Sequence, residues 1–172
     1  VGVCVLEWDN PATLGLMSWG DKLLNGFFQS VTIRTAGFAA IDQGALTDAG
    51  KAVSMMLMIM GGASGSTAGG IKIVTVVVLV LFLWARARGR STVTVFKRTI
   101  AGEKALDAMT IVGIVSGLAV AGAIVISLTS PVNFINSLYE SASAIATVGI
   151  TAGATGVLSV AAQILIIIFM YF

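Results

Sequence analysis

The sequence has no histidine, one cysteine and two prolines among its 172 residues. Without histidine it lacks the most common general base of hydrolytic sites and the most common ligand of transition metals. The single cysteine, Cys4, cannot form a disulfide within the chain, and a small buried apolar side chain is its ordinary role. These absences predict that the protein is not an enzyme.

Charge is also scarce. Charged residues make up 10% of the chain and hydrophobic residues 57%, whereas soluble domains are about a quarter charged. Helices satisfy their own backbone in lipid, so this composition predicts an all-α polytopic membrane protein. The chain starts without the pattern of a signal peptide and ends within an apolar run, and we therefore expect a piece of a longer protein.

The few charges are unevenly placed. Five of the eight acids lie before position 50, and six of the ten basic residues lie in one segment, 86–104. By the positive-inside rule this segment is predicted to be a cytoplasmic loop beside the phosphates of membrane lipid. We do not expect nucleic acid as a partner. The basic residues of the segment are Arg86, Arg88, Arg90, Lys97, Arg98 and Lys104.

Two segments roughly 110 residues apart share one pattern. Residues 24–32 read LNGFFQSVT and residues 135–143 read INSLYESAS, and after each comes a Thr-x-Gly loop. The segments that contain these stretches, 21–33 and 134–145, are too short to cross a membrane, which takes about 20 apolar residues, so each is predicted to be a re-entrant pore helix. The loops, an odd number of crossings from the basic segment, are expected to open to the outside. We call 35–38 the first pore loop and 147–150 the second pore loop.

The pore loops are predicted to hold a cation through backbone carbonyls, as the T-V-G-Y-G loops of potassium channels do. Glycine adopts the left-handed dihedrals that such a loop needs. Two ionisable residues beside the loops, Arg34 and Glu140, are expected to brace them from behind by hydrogen bonds or by pairing with each other. The residues of the two Thr-x-Gly segments are Thr35, Ala36, Gly37, Thr147, Val148 and Gly149.

The helix after the first pore loop is interrupted. Apolar residues run over 52–60 and resume at Ile71, and between them lies the glycine-rich loop, 61–70, which reads GGASGSTAGG. We expect this loop to be unwound inside the membrane beneath the pore, where irregular backbone must line a cavity. Lys72 is predicted to bind its carbonyls or to snorkel. The residues assigned to this element are Gly61, Gly62, Ser64, Gly65, Ser66, Thr67, Gly69, Gly70 and Lys72.

The motifs FQSVTIRTAGF from Phe28, GGASGSTAGGIK from Gly61 and TVGI from Thr147 resemble the Trk/Ktr/HKT superfamily of potassium transporters, most closely its Ktr-type bacterial membrane subunit. The resemblance implies four helix–pore loop–helix units around one path. This chain would hold the third unit (1–85), a cytoplasmic loop (86–104) and the truncated fourth unit (105–172).

The resemblance further implies that K+ is the transported ion, with Na+ as a second candidate, and that the glycine-rich loop is a gate. It also implies that the predicted ion-binding residues, which coordinate the ion through their carbonyls, are Thr35, Ala36, Gly37, Thr147, Val148 and Gly149. It implies a bacterial inner-membrane protein that forms a homodimer and binds a cytosolic nucleotide-binding regulatory subunit. Ile150 stands where a potassium channel has tyrosine, so weaker selectivity is expected.

Two other interpretations remain open from the residues alone. A tetrameric potassium-channel subunit could carry two pore loops, but the loops differ and only the first is followed by an interrupted helix. A non-transporting intramembrane scaffold or protease relative could explain Gly62-Ala63-Ser64-Gly65, but no histidine is present to serve as its base.

Overall fold

The computed structural model describes residues 2–66, 68–89, 93–95, 98–100 and 102–171. Within these ranges the chain forms seven α-helices, one short 3-10 helix and one two-stranded antiparallel sheet. The helices are α1 (Gly2–Leu6), α2 (Trp19–Thr32), α3 (Asp48–Ile59), α4 (Ile73–Ala87), α5 (Gly102–Thr129), α6 (Phe134–Ile145) and α7 (Val160–Met170). The strands are β1 (Val93–Val95) and β2 (Arg98–Ile100), and the 3-10 helix covers Thr155–Val157.

The predicted all-α class is confirmed, and the sheet of two three-residue strands within the basic segment is an unpredicted addition. Thr67, Arg90 and Lys97, which the sequence assigned to the glycine-rich loop and to the basic segment, lie outside the described residues.

Helix starts follow from capping side chains. Ser18, Thr47 and Ser159 precede α2, α3 and α7, and each side-chain oxygen accepts a hydrogen bond from the amide three residues on, at 3.0–3.3 Å. Such bonds satisfy amides that have no partner within the helix. Thr47 and Ser159 occupy aligned positions of the two copies, so the helix after each pore loop starts in the same way.

The two pore helices have the predicted lengths and places. α2 has 14 residues and α6 has 12, so neither can cross a bilayer alone. Among the described residues one helix, α5, is long and apolar enough to span a membrane, and 22% of its most apolar stretch is buried. α4 and α7 are apolar but shorter.

The pore helix α6 is the centre of the packing and lies against α3, α5 and α7. Met58 of α3, Tyr139 of α6 and Val148 of the second pore loop share one buried cluster. On the other side, a Cβ on Gly122 of α5 would overlap Ser141 Oγ, so the two helices approach closely there. The second pore loop is therefore part of the core of the fold.

The turn after α1 is organised by the buried carboxylate of Glu7, which is 0% exposed. Its Oε1 accepts from Thr47 N at 2.9 Å and Thr47 Oγ1 at 2.5 Å, and its Oε2 accepts from Asn10 Nδ2 at 2.6 Å and Thr13 Oγ1 at 3.0 Å. Burial raises the pKa of Glu7, but these hydrogen bonds together outweigh it and hold the pKa below its ordinary value. Glu7 thereby fixes α1 to the start of α3.

Candidate ion path: two pore loops and a glycine-rich loop

The backbone of the two pore loops alternates in handedness. Thr35 and Gly37 have φ values of +66° and +80°, and Thr147 and Gly149 have +52° and +83°. These two threonines are the non-glycine residues with positive φ in the described part of the chain. A left-handed residue costs about 1–2 kcal/mol when it carries a side chain, and such strain concentrates at functional sites.

Alternating handedness has a direct consequence for the carbonyl groups. In an extended strand successive carbonyls point to opposite sides, whereas alternation of left- and right-handed residues turns them toward one side. A row of carbonyls facing one way is the arrangement that can replace the water shell of a cation. Both pore loops have positive φ at two aligned positions, with one residue between them that does not, and this is the backbone pattern that such a row of carbonyls needs.

A hydroxyl in the last turn of each pore helix holds the end of its loop. Thr32 Oγ1 accepts from Phe38 N at 2.9 Å and donates to Phe38 O at 2.5 Å. In the second copy Ser143 Oγ accepts from Ile150 N at 3.1 Å. Thr32 and Ser143 are aligned in the two copies, and no role was predicted for either residue. The signal available was a hydroxyl at the same position of both copies.

The second pore loop is anchored on one side. Val148 and Ile150 are each 3% exposed and lie in the core cluster, whereas Thr147 and Gly149 are exposed. The two loops meet at Gly37, where a Cβ would lie 2.8 Å from the Val148 carbonyl oxygen. Gly37 is thus required both by its positive φ and by the neighbouring loop.

Glu140 lies behind the second pore loop and is 5% exposed. Its Oε1 accepts from the hydroxyl of Thr151, from Ala152 N at 3.0 Å and from Ala154 N at 3.3 Å, and its Oε2 accepts from Thr155 Oγ1 at 3.2 Å. A buried carboxylate needs such donors, and this one holds the five residues that leave the loop.

Arg34 does not pair with Glu140, which corrects that part of the expectation. Its side chain is exposed and forms no hydrogen bond or ion pair within the described chain. The physical reason is that Glu140 is already satisfied by donors of its own copy. The aligned residue in the first copy is Gln29, which also has a partner within its own copy. Its Nε2 donates a hydrogen bond to Oε1 of the uncharged Gln43 at 2.5 Å.

The glycine-rich loop is closed at its base and interrupts the helix as predicted. Ile71 N donates to Ile59 O at 2.8 Å, and Met60 and Ile71 form an isolated parallel bridge. Lys72 Nζ reaches into the loop and donates to Ser66 O at 3.1 Å and to Ala68 O at 2.5 Å. The lysine thus cross-links the loop to the start of α4.

Glycines allow the loop to fold tightly against itself. A Cβ on Gly61 would overlap Gly69 O, one on Gly62 would lie 2.5 Å from Ser66 Oγ, and Gly70 has a φ of +70°. Ser64 and Gly65 at the tip are exposed.

The glycine-rich loop also contacts the second pore loop. A Cβ on Gly69 would overlap Thr147 Oγ1 and would lie 2.8 Å from Ala146 O. The predicted gate residues and the predicted ion-binding residues are therefore direct neighbours, although more than 70 positions separate them in the chain.

These features are those of an integral membrane protein in which two short helices each lead into a pore loop and one helix is interrupted. Residues 5–172 match the family profile described as "TrkH: Cation transport protein". The chain belongs to this family, which confirms the resemblance drawn from the motifs. The family consists of transport proteins and not of enzymes.

The names of curated relatives agree with this family assignment. The chain is 34% identical over 169 residues to Ktr system potassium uptake protein B of Bacillus subtilis, covering 98% of this chain and 38% of that protein. It is 34% identical over 166 residues to the protein of the same name from Vibrio alginolyticus, covering 96% of this chain and 36% of that protein. It is 37% identical over 166 residues to potassium/sodium uptake protein NtpJ of Enterococcus hirae, covering 94% of this chain and 37% of that protein. The chain thus spans less than two fifths of the length of these relatives.

Proposed function

We propose that this chain supplies two pore units of a K+ transport protein and that the carbonyls of its pore loops hold the ion during passage. The observation that carries the proposal is the alternation of positive φ at Thr35 and Gly37 and again at Thr147 and Gly149. Strained backbone of one pattern at two aligned places is costly, and lining a cation path gives it a purpose.

The proposed units are 1–85 and 105–172, joined by the loop 86–104. In the assembled protein, the two pore loops and two further loops from the remaining sequence surround one path. The family name and the names of the relatives support K+ as the cargo, and the name of NtpJ supports Na+ as a second ion to test.

We place the protein in the bacterial inner membrane with the pore loops open to the outside and the basic loop in the cytoplasm. The density of Arg and Lys between Arg86 and Lys104 supports this orientation. The same loop is the proposed contact for anionic lipid and for a cytosolic nucleotide-binding regulatory subunit of a homodimer. The word "system" in the name of the Bacillus subtilis relative supports a protein with more than one component.

We propose that the glycine-rich loop is the gate. Its contact with Thr147, a proposed ion-binding residue, supports this role, and its glycines give the backbone the freedom to change conformation. The lysine cross-link at Lys72 would hold the closed arrangement.

The proposal is tested by K+ uptake of the full-length protein in cells that lack their own K+ uptake systems, measured with and without Na+ in the medium. Saturable K+ uptake above cells carrying the empty vector is the expected result. Uptake equal to that of the empty vector would overturn the proposed function.

A further inference from the structure

Three buried polar side chains connect the two copies at a place that the proposed ion path does not use. Tyr139 on α6 and Gln29 on α2 are 0% exposed, and Gln43, between the first pore loop and α3, is 2% exposed. Tyr139 OH donates to Gln43 Oε1 at 3.0 Å, and Gln29 Nε2 donates to the same oxygen at 2.5 Å. A hydrogen-bonded link, which we call the Tyr139–Gln43–Gln29 link, therefore joins one pore helix to the other.

The amide of Gln43 uses all of its hydrogen-bonding capacity. Besides the two bonds that Oε1 accepts, Nε2 donates to Gln29 Oε1 at 3.1 Å and to Ile41 O at 2.9 Å. Because the Ile41 carbonyl can only accept, the amide nitrogen must face it, and this turns Oε1 toward Tyr139. In a membrane interior no water replaces a lost partner, so the orientation of this side chain is strongly fixed.

Half of the link repeats in the second copy. Gln29 aligns with Glu140 and Gln43 aligns with Thr155, and Thr155 Oγ1 donates to Glu140 Oε2 at 3.2 Å. Each copy therefore ties its own pore helix to the segment that follows its own pore loop. This part of the arrangement stabilises a single loop.

The hydroxyl of Tyr139 has no such counterpart. The aligned residue in the first copy is Phe28, which carries no hydroxyl and is 39% exposed. Tyr139 thus adds a bond from the second pore helix to the segment behind the first pore loop. At the front, the same two loops touch where Gly37 faces the Val148 carbonyl oxygen.

We propose that the Tyr139–Gln43–Gln29 link sets the separation of the two pore loops and thereby the preference of the path for K+ over Na+. This inference rests on the proposed function, in which the loops hold the ion. Whether selectivity comes from cage size or from the number of carbonyls in reach, it depends on how far apart neighbouring loops stand. Tyr139 and Gln43 are positioning residues and do not touch the ion.

The test is Tyr139→Phe in the full-length protein, assayed for K+ and Na+ uptake in cells without their own K+ uptake systems. The variant keeps the ring and removes one hydroxyl. We expect the ratio of K+ to Na+ uptake efficiency to fall about three- to tenfold, the size expected for one lost hydrogen bond. The change should appear as a higher KM for K+ at a similar maximal rate and a similar amount of protein in the membrane.

Two further variants sharpen the result. Thr110→Val is the matched control, because the Thr110 hydroxyl bonds only within its own helix, to Leu106 O at 2.9 Å, and it should leave the ratio unchanged. Gln43→Leu should lower the ratio as Tyr139→Phe does, and the double variant should fall short of the product of the two single effects.

The outcomes separate the two claims. If the wild type takes up K+ and Tyr139→Phe keeps the wild-type ratio and KM, the inference is overturned and the proposed function stands. A reduced amount of variant protein with unchanged ratio and KM would also overturn it, since the link would then serve stability alone. A wild type without K+ uptake would overturn both.

Discussion

Gly69 of the glycine-rich loop lies directly against Thr147 of the second pore loop. A Cβ on Gly69 would overlap the Thr147 hydroxyl, and the Ala146 carbonyl oxygen lies 2.8 Å from the same point. No side chain larger than hydrogen fits between the two loops. Movement of the proposed gate and the conformation of the proposed ion site are therefore mechanically connected.

Gly69→Ala should force the two loops apart. We expect an increased basal rate of K+ uptake, a reduced preference for K+ over Na+, or both, because the added methyl group must displace either the gate or Thr147. Gly113→Ala is the matched control, since no atom lies within 4 Å of a Cβ at that position of α5. Wild-type uptake and selectivity in Gly69→Ala would show that the loops separate without consequence.

Lys72→Met should loosen the glycine-rich loop. The variant removes the bonds from Nζ to the carbonyls of Ser66 and Ala68 while keeping a long side chain. If the lysine holds a closed gate, the maximal rate of K+ uptake should rise several-fold with little change in KM. Lys72→Arg keeps the charge and the donors and should stay close to the wild type. Equal maximal rates in wild type and Lys72→Met would show that Lys72 does not hold the gate closed.

Glu140→Ala should release the segment that leaves the second pore loop. Four donors would lose their acceptor, and two of them, the amides of Ala152 and Ala154, are buried, where an unpaired donor costs about 1–3 kcal/mol. We expect a lower melting temperature of the purified protein and a higher KM for K+. Glu140→Gln, which retains one acceptor oxygen, should be milder, and Glu103→Gln, at an exposed acid, should have no effect. A Glu140→Ala protein with wild-type stability and KM would contradict the bracing role.

Glu7 predicts a pH-dependent stability at the turn after α1. Its pKa is below the ordinary value of 4.5, so its contribution is present above about pH 4.5 and is lost as the pH falls through the lower, folded-state pKa. Glu7→Gln should therefore reduce thermal stability in detergent at neutral pH, and the difference from wild type should shrink in acid. The exposed Asp9 offers Asp9→Asn as the control. A pH-independent difference would show that the carboxylate charge is not what matters.

The pore helices were predicted well because residues close in sequence determine where each of these helices begins and ends. The span 134–145 was obtained directly, and α2 differs from its predicted span by one or two residues at each end. Repeated motifs and capping hydroxyls such as that of Thr47 mark the ends of helices within a few residues of sequence. The interruption of the helix at Gly61 was likewise evident from composition alone.

Contacts between distant residues could not be read in the same way. That Gly69 faces Thr147, and that Tyr139 reaches Gln43, depends on how α3 packs against α6, which no local pattern encodes. Arg34 was misjudged for the same reason: its charge suggested a partner, but the donors for Glu140 come from the following loop. The strands Val93–Val95 and Arg98–Ile100 were not predicted because three residues each are too few for an alternating pattern to be distinguished.

The central claim, that the pore loops hold the ion through strained backbone, is tested most directly at Gly149. Its φ is +83° and no atom lies within 4 Å of a Cβ built there, so Gly149→Ser acts through the backbone and creates no clash in the described chain. Gly156→Ser is the matched control, because that glycine has equal space and no positive φ.

The measurement is K+ and Na+ uptake by the full-length protein and both variants in cells without their own K+ uptake systems. We predict that Gly149→Ser raises the KM for K+ or lowers the preference for K+ over Na+ about tenfold, because a residue with a side chain is disfavoured in the left-handed backbone conformation. Gly156→Ser should match the wild type. Uptake by Gly149→Ser with wild-type KM and wild-type preference would contradict the account.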